Sequence, residues 1–216
     1  MSEVCTRFFV LTGGPGSGKT TIINALARAG HRRSAEAGRA IIQDQVAIGG
    51  SALPWTNPLA YAELMLSWEM RSHHIAARGF DPVFFDRGVP DVIGYLRLVG
   101  LPVPTHMQKA AEIFRYHRRV FIAPPWPEIY ERDSERKQSL GEAERTYEAM
   151  LVIYQSYGYE LSKSPACRCT NGCSSLSATS LPRGRSAADS RSARSRQLGA
   201  VCHDSVQDFR TRCVMR

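Results

Sequence analysis

One stretch near the amino terminus, residues 7–30, constrains the fold more than any other part of the chain. It reads RFFVLTGGPGSGKTTIINALARAG, and the pattern G-x-x-x-x-G-K-[ST] runs from Gly13 to Thr20. An apolar run of the kind found in buried β-strands precedes the pattern, and apolar residues at helical spacing follow it. A glycine-rich turn between a strand and a helix is an arrangement that binds phosphates. The flanks therefore favour a P-loop over an ordinary turn.

The residue types in this pattern suit a bound phosphate chain. Glycines let the backbone approach a phosphate closely, so that several N–H groups are directed at it from the start of a helix. Lys19 is predicted to reach the β and γ phosphates, and the Thr20 hydroxyl is predicted to bind Mg²⁺. The predicted nucleotide-binding residues are Gly13, Gly14, Pro15, Gly16, Ser17, Gly18, Lys19, Thr20 and Thr21. The expected ligand is ATP or GTP together with Mg²⁺.

A second motif, GFDPVFFDRG at residues 79–88, predicts a short buried strand followed by two charged side chains. The carboxyl ends of parallel strands line the ligand crevice of an α/β sheet, so Asp86 and Arg87 are expected beside the phosphates. Asp86 would bind the Mg²⁺ shell or accept a proton from an attacking hydroxyl, and Arg87 would hold a phosphate or the acceptor. The alternative is structural: Asp86 caps the next turn and Arg87 pairs with it.

A third candidate strand, at residues 120–123, precedes the highly charged segment WPEIYERDSERKQS at residues 126–139. Arg132 and Arg136 are four residues apart in this segment, with acidic residues between them. One interpretation is a solvated helix face with ion pairs. The other is a lid that brings cations to the transferring phosphoryl group, where charge stabilisation is the main catalytic need. Both interpretations stay open at this point.

Four helices are predicted from apolar residues at helical spacing and from start and stop signals. They fall at residues 36–50, 57–79, 101–119 and 140–158. Asn57 is the expected N-cap of the second helix, with Pro58 in the first turn and Gly79 after the end. The residues of this helix that are expected in the core are Leu59, Ala62, Leu66 and Met70.

Charge and cysteine are distributed unevenly along the 216 residues. The formal net charge is +8, but residues 162–216 hold 10 of the 28 Lys and Arg residues and only 3 of the 20 Asp and Glu residues. They also hold five of the six cysteines. Residues 1–161 are therefore nearly neutral and lack a disulfide framework, which is typical of a cytoplasmic protein. No apolar run approaches the roughly 20 residues of a membrane-spanning helix, so no membrane partner is expected.

The composition changes abruptly after residue 161, where a tail rich in Ser, Arg and Cys begins. Its low apolar content predicts disorder. A frameshift would explain the change, because a frame read one nucleotide earlier turns every cysteine codon into a codon for Val, Leu or Met. A zinc site is a weaker alternative, because Cys167, Cys169 and Cys173 lack a partner pair at the usual spacing. The arginines would bind nucleic acid through charge alone, so no specific nucleic-acid partner is expected.

The order of the motifs resembles that of a known family. The stretches LTGGPGSGKTT, EAGRAIIQ, FFDRG and RRVFIAPPWPEIYERD stand where they do in the NadR-type AAA/P-loop NTPase domain of bacterial ATPases and kinases. The resemblance runs from Arg7 to about Leu161. It implies an α/β fold with about five parallel strands flanked by helices, a bound nucleotide with Mg²⁺, and a lid near residues 132–137. The predicted organisation is thus a P-loop domain at residues 1–161 and a tail at residues 162–216.

The resemblance also assigns residues to the acceptor side of the site. Glu36 and Arg39, which follow the second strand position, would line it together with Asp86 and Arg87. The second strand is itself weak, because HRRSAEAG contains no apolar run.

Together, these features predict a phosphotransferase that moves the γ-phosphoryl group of ATP or GTP to a small hydroxyl acceptor. The predicted catalytic residues are Lys19, Glu36, Asp86 and Arg136, with Asp86 or Glu36 as the base. The predicted acceptor-binding residues are Arg39, Arg87 and Arg132, and the predicted Mg²⁺ ligands are Thr20 and Asp86. The alternative is a regulatory ATPase or GTPase module without an acceptor. Acceptor-dependent ADP production would distinguish the two, and the oligomeric state is left open.

Overall fold

A five-stranded parallel sheet lies at the centre of the computed structural model, which describes residues 5–125 and 140–164. Its strands are β1 (Phe8–Gly13), β2 (Arg32–Arg33), β3 (Val83–Asp86), β4 (Arg119–Ala123) and β5 (Glu160–Lys163). Their order is β2-β3-β1-β4-β5, and every neighbouring pair is parallel. Because β1 is central, its end lies between the ends of β3 and β4. The predicted five-stranded parallel sheet is confirmed.

Helices alternate with the strands, as in other α/β folds. They are α1 (Lys19–Arg28), α2 (Ala37–Ala47), α3 (Pro58–Ala77), α4 (Val89–Leu98), α5 (Thr105–Ile113) and α6 (Leu140–Ser156). The four helices predicted after the P-loop correspond to α2, α3, α5 and α6. Within the described residues, no helix is both long enough and apolar enough to cross a membrane.

Helix α4 is not among the predicted helices, because Gly88, Pro90 and Gly94 interrupt its apolar pattern. Pro90 lies in the first turn, where the N–H that proline lacks would have no helical partner. Gly94 has a packing role, since a Cβ at this position would lie 2.5 Å from Met150 Cε of α6. The glycine therefore allows α4 and α6 to approach closely.

Helix α3 begins and packs largely as its sequence predicts. Asn57 Oδ1 accepts a hydrogen bond from the backbone N–H three residues later at 3.0 Å, which confirms the predicted N-cap. Ala62 and Leu66 are buried, and Met70 is partly buried against the core. Leu59 is 43% exposed, so its predicted core position is wrong. It shares a helix face with Leu66 but lies two turns earlier, at the helix end, where it is beyond the edge of the core.

The two edge strands differ in length and in sequence pattern. Strand β2 has two exposed residues, which explains why no apolar run marks it, and Ser34 N–H holds it to a β3 carbonyl at 2.9 Å. At the other edge, β5 ends at Lys163, and Ser164 N–H bonds a β4 carbonyl at 2.9 Å. The first residues of the predicted tail are therefore paired with β4. The remainder of the tail, which includes Cys167, Cys169 and Cys173, lies outside the described residues.

Candidate nucleotide-binding site

The phosphate loop begins with two glycines that lie against the backbone of other elements. Gly13 has a φ of 130°, and a Cβ there would lie 2.4 Å from the carbonyl oxygen of Ala123 in β4. A Cβ on Gly14 would lie 2.6 Å from the carbonyl oxygen of Ala143 in α6. Backbone atoms cannot rotate away as a flexible side chain can. Only glycine therefore fits at these two positions without a shift of the surrounding strand or helix.

The rest of the loop leads directly into α1. Gly18 is the N-cap residue, with a left-handed φ of 81°, and no side chain among the described residues caps this turn. The free N–H groups of the first turn and the helix dipole favour an anion at this end. Thr20 is exposed at the second helical position, and Thr21 is partly buried. The nine predicted nucleotide-binding residues thus form one continuous segment, from the last residue of β1 through the loop to the first turn of α1.

Lys19 is buried inside the loop. Its Nζ donates hydrogen bonds to the carbonyl oxygens of Gly13 at 2.9 Å and Gly14 at 2.6 Å, and it lies 3.2 Å from Ser17 Oγ. Burial lowers the pKa of Lys19 to about 7; Arg87 acts in the same direction, and three nearby carboxylates act against it. A phosphate at this position would favour the charged ammonium, because it adds negative charge where burial has removed water.

Asp86 ends β3 beside the phosphate loop, where Leu11 of β1 is its partner in register. The residue is 5% exposed, and its Oδ1 has no hydrogen-bond partner among the described residues. Burial raises the pKa of Asp86, although Lys19 and Arg87 oppose that effect. An unpartnered buried oxygen is uncommon and costs about 1–3 kcal/mol. This oxygen is chemically suited to a cation or to a donated proton.

Arg87 is the one residue other than glycine that has a left-handed backbone within the described residues, with a φ of 74°. Its N–H bonds Leu11 O at 3.1 Å, and its side chain reaches Asp91 Oδ1 at 3.4 Å. The structural alternative, in which Arg87 pairs with Asp86, is therefore not what the structure contains. Burial lowers the pKa of Arg87, but Asp91, Asp86, Glu36 and Tyr61 together raise it above its ordinary value, so the guanidinium stays charged. This conformation costs roughly 1–2 kcal/mol and is often found at functional positions.

Glu36 and Arg39 both belong to the start of α2 but differ in surroundings. Glu36 is the partly buried N-cap residue, and its charge acts to raise the pKa of Lys19, so the two side chains lie within electrostatic range of each other. Arg39 is exposed, and no contact within the described residues joins it to the site. Arg132 and Arg136 belong to residues 126–139, which lie outside the described residues.

Asp91, in the first turn of α4, is central to the site but is absent from the predicted site residues. Its Oδ1 accepts a hydrogen bond from Thr12 Oγ1 at 2.5 Å and faces Arg87. Its Oδ2 accepts from Gly88 N–H at 2.9 Å and from the Tyr154 hydroxyl at 2.5 Å. Gly88 is the N-cap residue of α4, and an acidic residue three positions after an N-cap is typical of a capping box. That spacing is the sequence signal that would have indicated Asp91.

Glu69, in the middle of α3, is the second buried carboxyl group that the sequence does not reveal. It is 3% exposed, and its Oε2 has no hydrogen-bond partner in the part of the chain that the structure describes. Burial raises the pKa of Glu69 well above its usual range; Asp91 and Asp86 add to this effect, and Arg87 opposes it. No sequence signal marks Glu69, because a single glutamate in a helix usually faces solvent.

The residues around Lys19 fit a nucleotide that carries Mg²⁺. Gly13 and Gly14 allow the loop to pack against the backbone of β4 and α6. The Thr20 hydroxyl and the Asp86 oxygen that has no partner among the described residues are the hard oxygen ligands that Mg²⁺ prefers. Mg²⁺ usually takes only one or two protein oxygens and keeps several waters. Within the described residues, no three or more His, Cys, Asp or Glu side chains are grouped as metal ligands.

The glycine cradle, the helix that follows it and the parallel sheet define this chain as a P-loop nucleotide-binding protein. Its sequence matches the AAA domain family over residues 8–169, and the chain belongs to that family. The resemblance that the motifs indicated is thereby confirmed. No curated protein matches the sequence significantly.

Two solved structures are similar to this chain. The NadR protein in complex with NR is 16% identical, with a TM-score of 0.55 over 77% of this chain and 46% of the NadR chain. This chain therefore spans less than half of NadR, and the likeness shows a shared fold. A deoxyadenosine kinase from M. mycoides, with products dCMP and dCDP bound, is 14% identical, with a TM-score of 0.49 over 72% of this chain and 88% of the kinase.

Proposed function

We propose that this chain is a phosphotransferase that moves the γ-phosphoryl group of ATP or GTP to the hydroxyl group of a small acceptor. The observation that supports the proposal most directly is the buried Asp86 oxygen beside Lys19 and Arg87, which has no hydrogen-bond partner among the described residues. Phosphate binding alone requires backbone amides and a lysine. Transfer to an acceptor also requires a base and a cation on the far side of the phosphate, and Asp86 and Arg87 have the chemistry for these roles.

On the phosphate side, the loop amides and Lys19 would hold the β and γ phosphates. Lys19 would exchange its contacts with the Gly13 and Gly14 carbonyls for phosphate oxygens. Thr20 and Asp86 would hold Mg²⁺, which supplies neutralisation of the phosphate charge when it is bound. The N–H groups at the start of α1 add fixed dipoles that need no reorganisation during the reaction.

On the acceptor side, Asp86 or Glu36 would take the proton of the attacking hydroxyl. A carboxylate whose pKa is raised by burial is a better proton acceptor than one in water. Where Asp86 holds the Mg²⁺ shell instead, Glu36 is left as the base. Arg87 and Arg39 would bind the acceptor, and Arg132 and Arg136 would stabilise the charge of the transferring group.

A thermal-unfolding experiment tests the phosphate side. The midpoint is measured with and without Mg-ATP and Mg-GTP, because a ligand that binds only the folded state raises it. At ligand concentrations of about 100 times Kd, we expect a rise of roughly 5–10 °C. Lys19→Ala should lose the rise, and Lys109→Ala, which changes an exposed lysine of α5, should keep it. A midpoint that is indifferent to both nucleotides would refute nucleotide binding by this loop.

An acceptor screen tests the phosphotransfer. ADP and GDP release is followed with a panel of nucleosides and small polyols, and NR is included because NadR binds it. Asp86→Asn should lower the acceptor-dependent rate by about 100-fold or more, whereas Asp81→Asn, which changes an exposed carboxylate, should leave it unchanged. If nucleotide binds tightly and no acceptor raises ADP release, the regulatory module is the correct function.

A further inference from the structure

We propose that Asp91 is a positioning residue, which orients the guanidinium of Arg87 and makes that orientation depend on the phosphate loop. The inference rests on the proposed function, because the proposed function gives Arg87 its role in binding the acceptor. Asp91 itself is 5% exposed and lies behind Arg87. It would therefore act through Arg87 and not by contact with the acceptor.

The two carboxylate oxygens of Asp91 have separate partners. Oδ2 is held by Gly88 N–H at 2.9 Å and by the Tyr154 hydroxyl at 2.5 Å, which fix the carboxylate between α4 and α6. Oδ1 then faces the site, where Thr12 Oγ1 donates to it at 2.5 Å and Arg87 lies 3.4 Å away. One oxygen is an anchor to the core, and the other is shared by two residues of the site.

The side chain of Arg87 needs such an anchor because its backbone is unusual. The residue turns through a left-handed conformation at the end of β3, and its N–H is tied to Leu11 O in β1. This turn points the side chain along α4, where Asp91 is the carboxylate within ion-pair distance among the described residues. The guanidinium direction is therefore set by Asp91.

Thr12 connects this pair to the phosphate loop. It is fully buried and immediately precedes Gly13, the first residue of the loop. Thr12 and Arg87 share one oxygen of Asp91, so a displacement of Thr12 changes the hydrogen bonding that remains for Arg87. Nucleotide binding that moves the loop would in this way change the orientation of the Arg87 guanidinium before an acceptor binds.

The experiment uses the full chain with ¹⁵N-labelled arginine and observes the side-chain Nε–H signal of Arg87, which is assigned by its loss in Arg87→Lys. We expect the signal to shift when Mg-ADP is added to the wild type. Asp91→Asn removes the charge and one accepting oxygen, so the free protein should show a shifted or broadened Arg87 signal.

Two matched variants separate positioning from a structural role and also serve if Asp91→Asn does not fold. Thr12→Val removes the donor on Oδ1, the oxygen shared with Arg87, and should shift the Arg87 signal. Tyr154→Phe removes the donor on Oδ2 and should lower the unfolding midpoint with a smaller effect on that signal. An Arg87 signal that is identical in wild type and Asp91→Asn, or that follows only the unfolding midpoint across the series, would overturn the proposal. Nucleotide binding is enough for this test, so its outcome is independent of whether phosphotransfer occurs.

Discussion

The phosphate side and the proposed acceptor side of this site are built in different ways. On the phosphate side, residues 13–21 form one continuous segment that joins β1 to α1, and the features that shape it are backbone conformations and N–H groups. On the proposed acceptor side, carboxyl groups from β3, α3 and α4 lie in a buried region, and a tyrosine of α6 donates a hydrogen bond to one of them. The geometry of the phosphate side depends on one local stretch of the chain, and that of the proposed acceptor side depends on the packing of elements that are distant in sequence. Mutations should therefore affect them through different physical terms.

The largest effect is expected for Gly13→Ala. The new Cβ would lie 2.4 Å from the Ala123 carbonyl oxygen, and a φ of 130° is strained for any residue with a side chain. We expect a loss of about 3 kcal/mol or more of folding free energy, because the central strand must shift. Chemical denaturation measures this loss directly. Gly141→Ala is the matched control, since no atom lies within 4 Å of its Cβ position and alanine is favoured in a helix.

A Gly13→Ala protein with wild-type stability and wild-type nucleotide affinity would contradict the backbone-based description of the phosphate side. A protein that keeps its stability but loses nucleotide binding would sharpen that description, because it would show that the loop can move without the sheet. The control should be neutral or slightly stabilising in either case.

The next effect concerns the pH dependence of nucleotide binding. The pKa of Lys19 is lowered to about 7 in the free protein, and bound phosphate should raise it again. Above pH 7, binding must then take up a proton, so affinity for Mg-ADP should fall by about tenfold between pH 7 and pH 8.5. Isothermal titration calorimetry in buffers of different ionisation enthalpy measures both the affinity and the proton uptake. An affinity that is constant or rises over this range would show that Lys19 is already charged in the free protein.

The same contrast explains how much of the molecule can be predicted from the sequence. The unit of β1, loop and α1 is predictable because its apolar strand, its glycines and its helix are adjacent in the chain. Strands β3 and β4 are predictable for a similar reason, since short apolar runs precede Asp86 and the charged segment. Helix α4 escapes prediction because Gly88 and Gly94 are explained only by packing, against Tyr116 and against α6 respectively, and because Pro90 is acceptable only in a first turn.

The acceptor side illustrates the limit more sharply. Asp86 and Arg87 are predictable from their position after a strand, but Asp91 and Glu69 acquire their significance only when α3, α4 and α6 pack together. In the sequence, nothing distinguishes these two carboxylates from solvated ones such as Glu148. Burial is a property of the whole fold, and it is burial that alters the chemistry of these two groups.

The smallest effect is expected for Glu69→Gln, and its sign tests the burial argument. The pKa of Glu69 is raised in the folded protein by burial, Asp91 and Asp86. From the usual glutamate pKa upward, the unfolded chain therefore releases a proton that the folded chain retains, and the wild type loses stability as pH rises. Glutamine has nearly the same shape and no such proton. At pH 8 the variant should be more stable than the wild type by about 1 kcal/mol, and the difference should shrink toward pH 5.

Denaturation curves at several pH values measure this difference, and Glu148→Gln, on the exposed face of α6, is the control that should show little change at any pH. A wild type that is more stable than Glu69→Gln at pH 8 would mean that Glu69 is ionised and paired in the folded protein, with Arg87 as the nearby cation. Arg87 would then have two possible carboxylate partners, Asp91 and Glu69. In that case ion pairs, and not the desolvation of carboxyl groups, would determine the stability of the acceptor side. The phosphate side, which is built from backbone groups, would still differ from it.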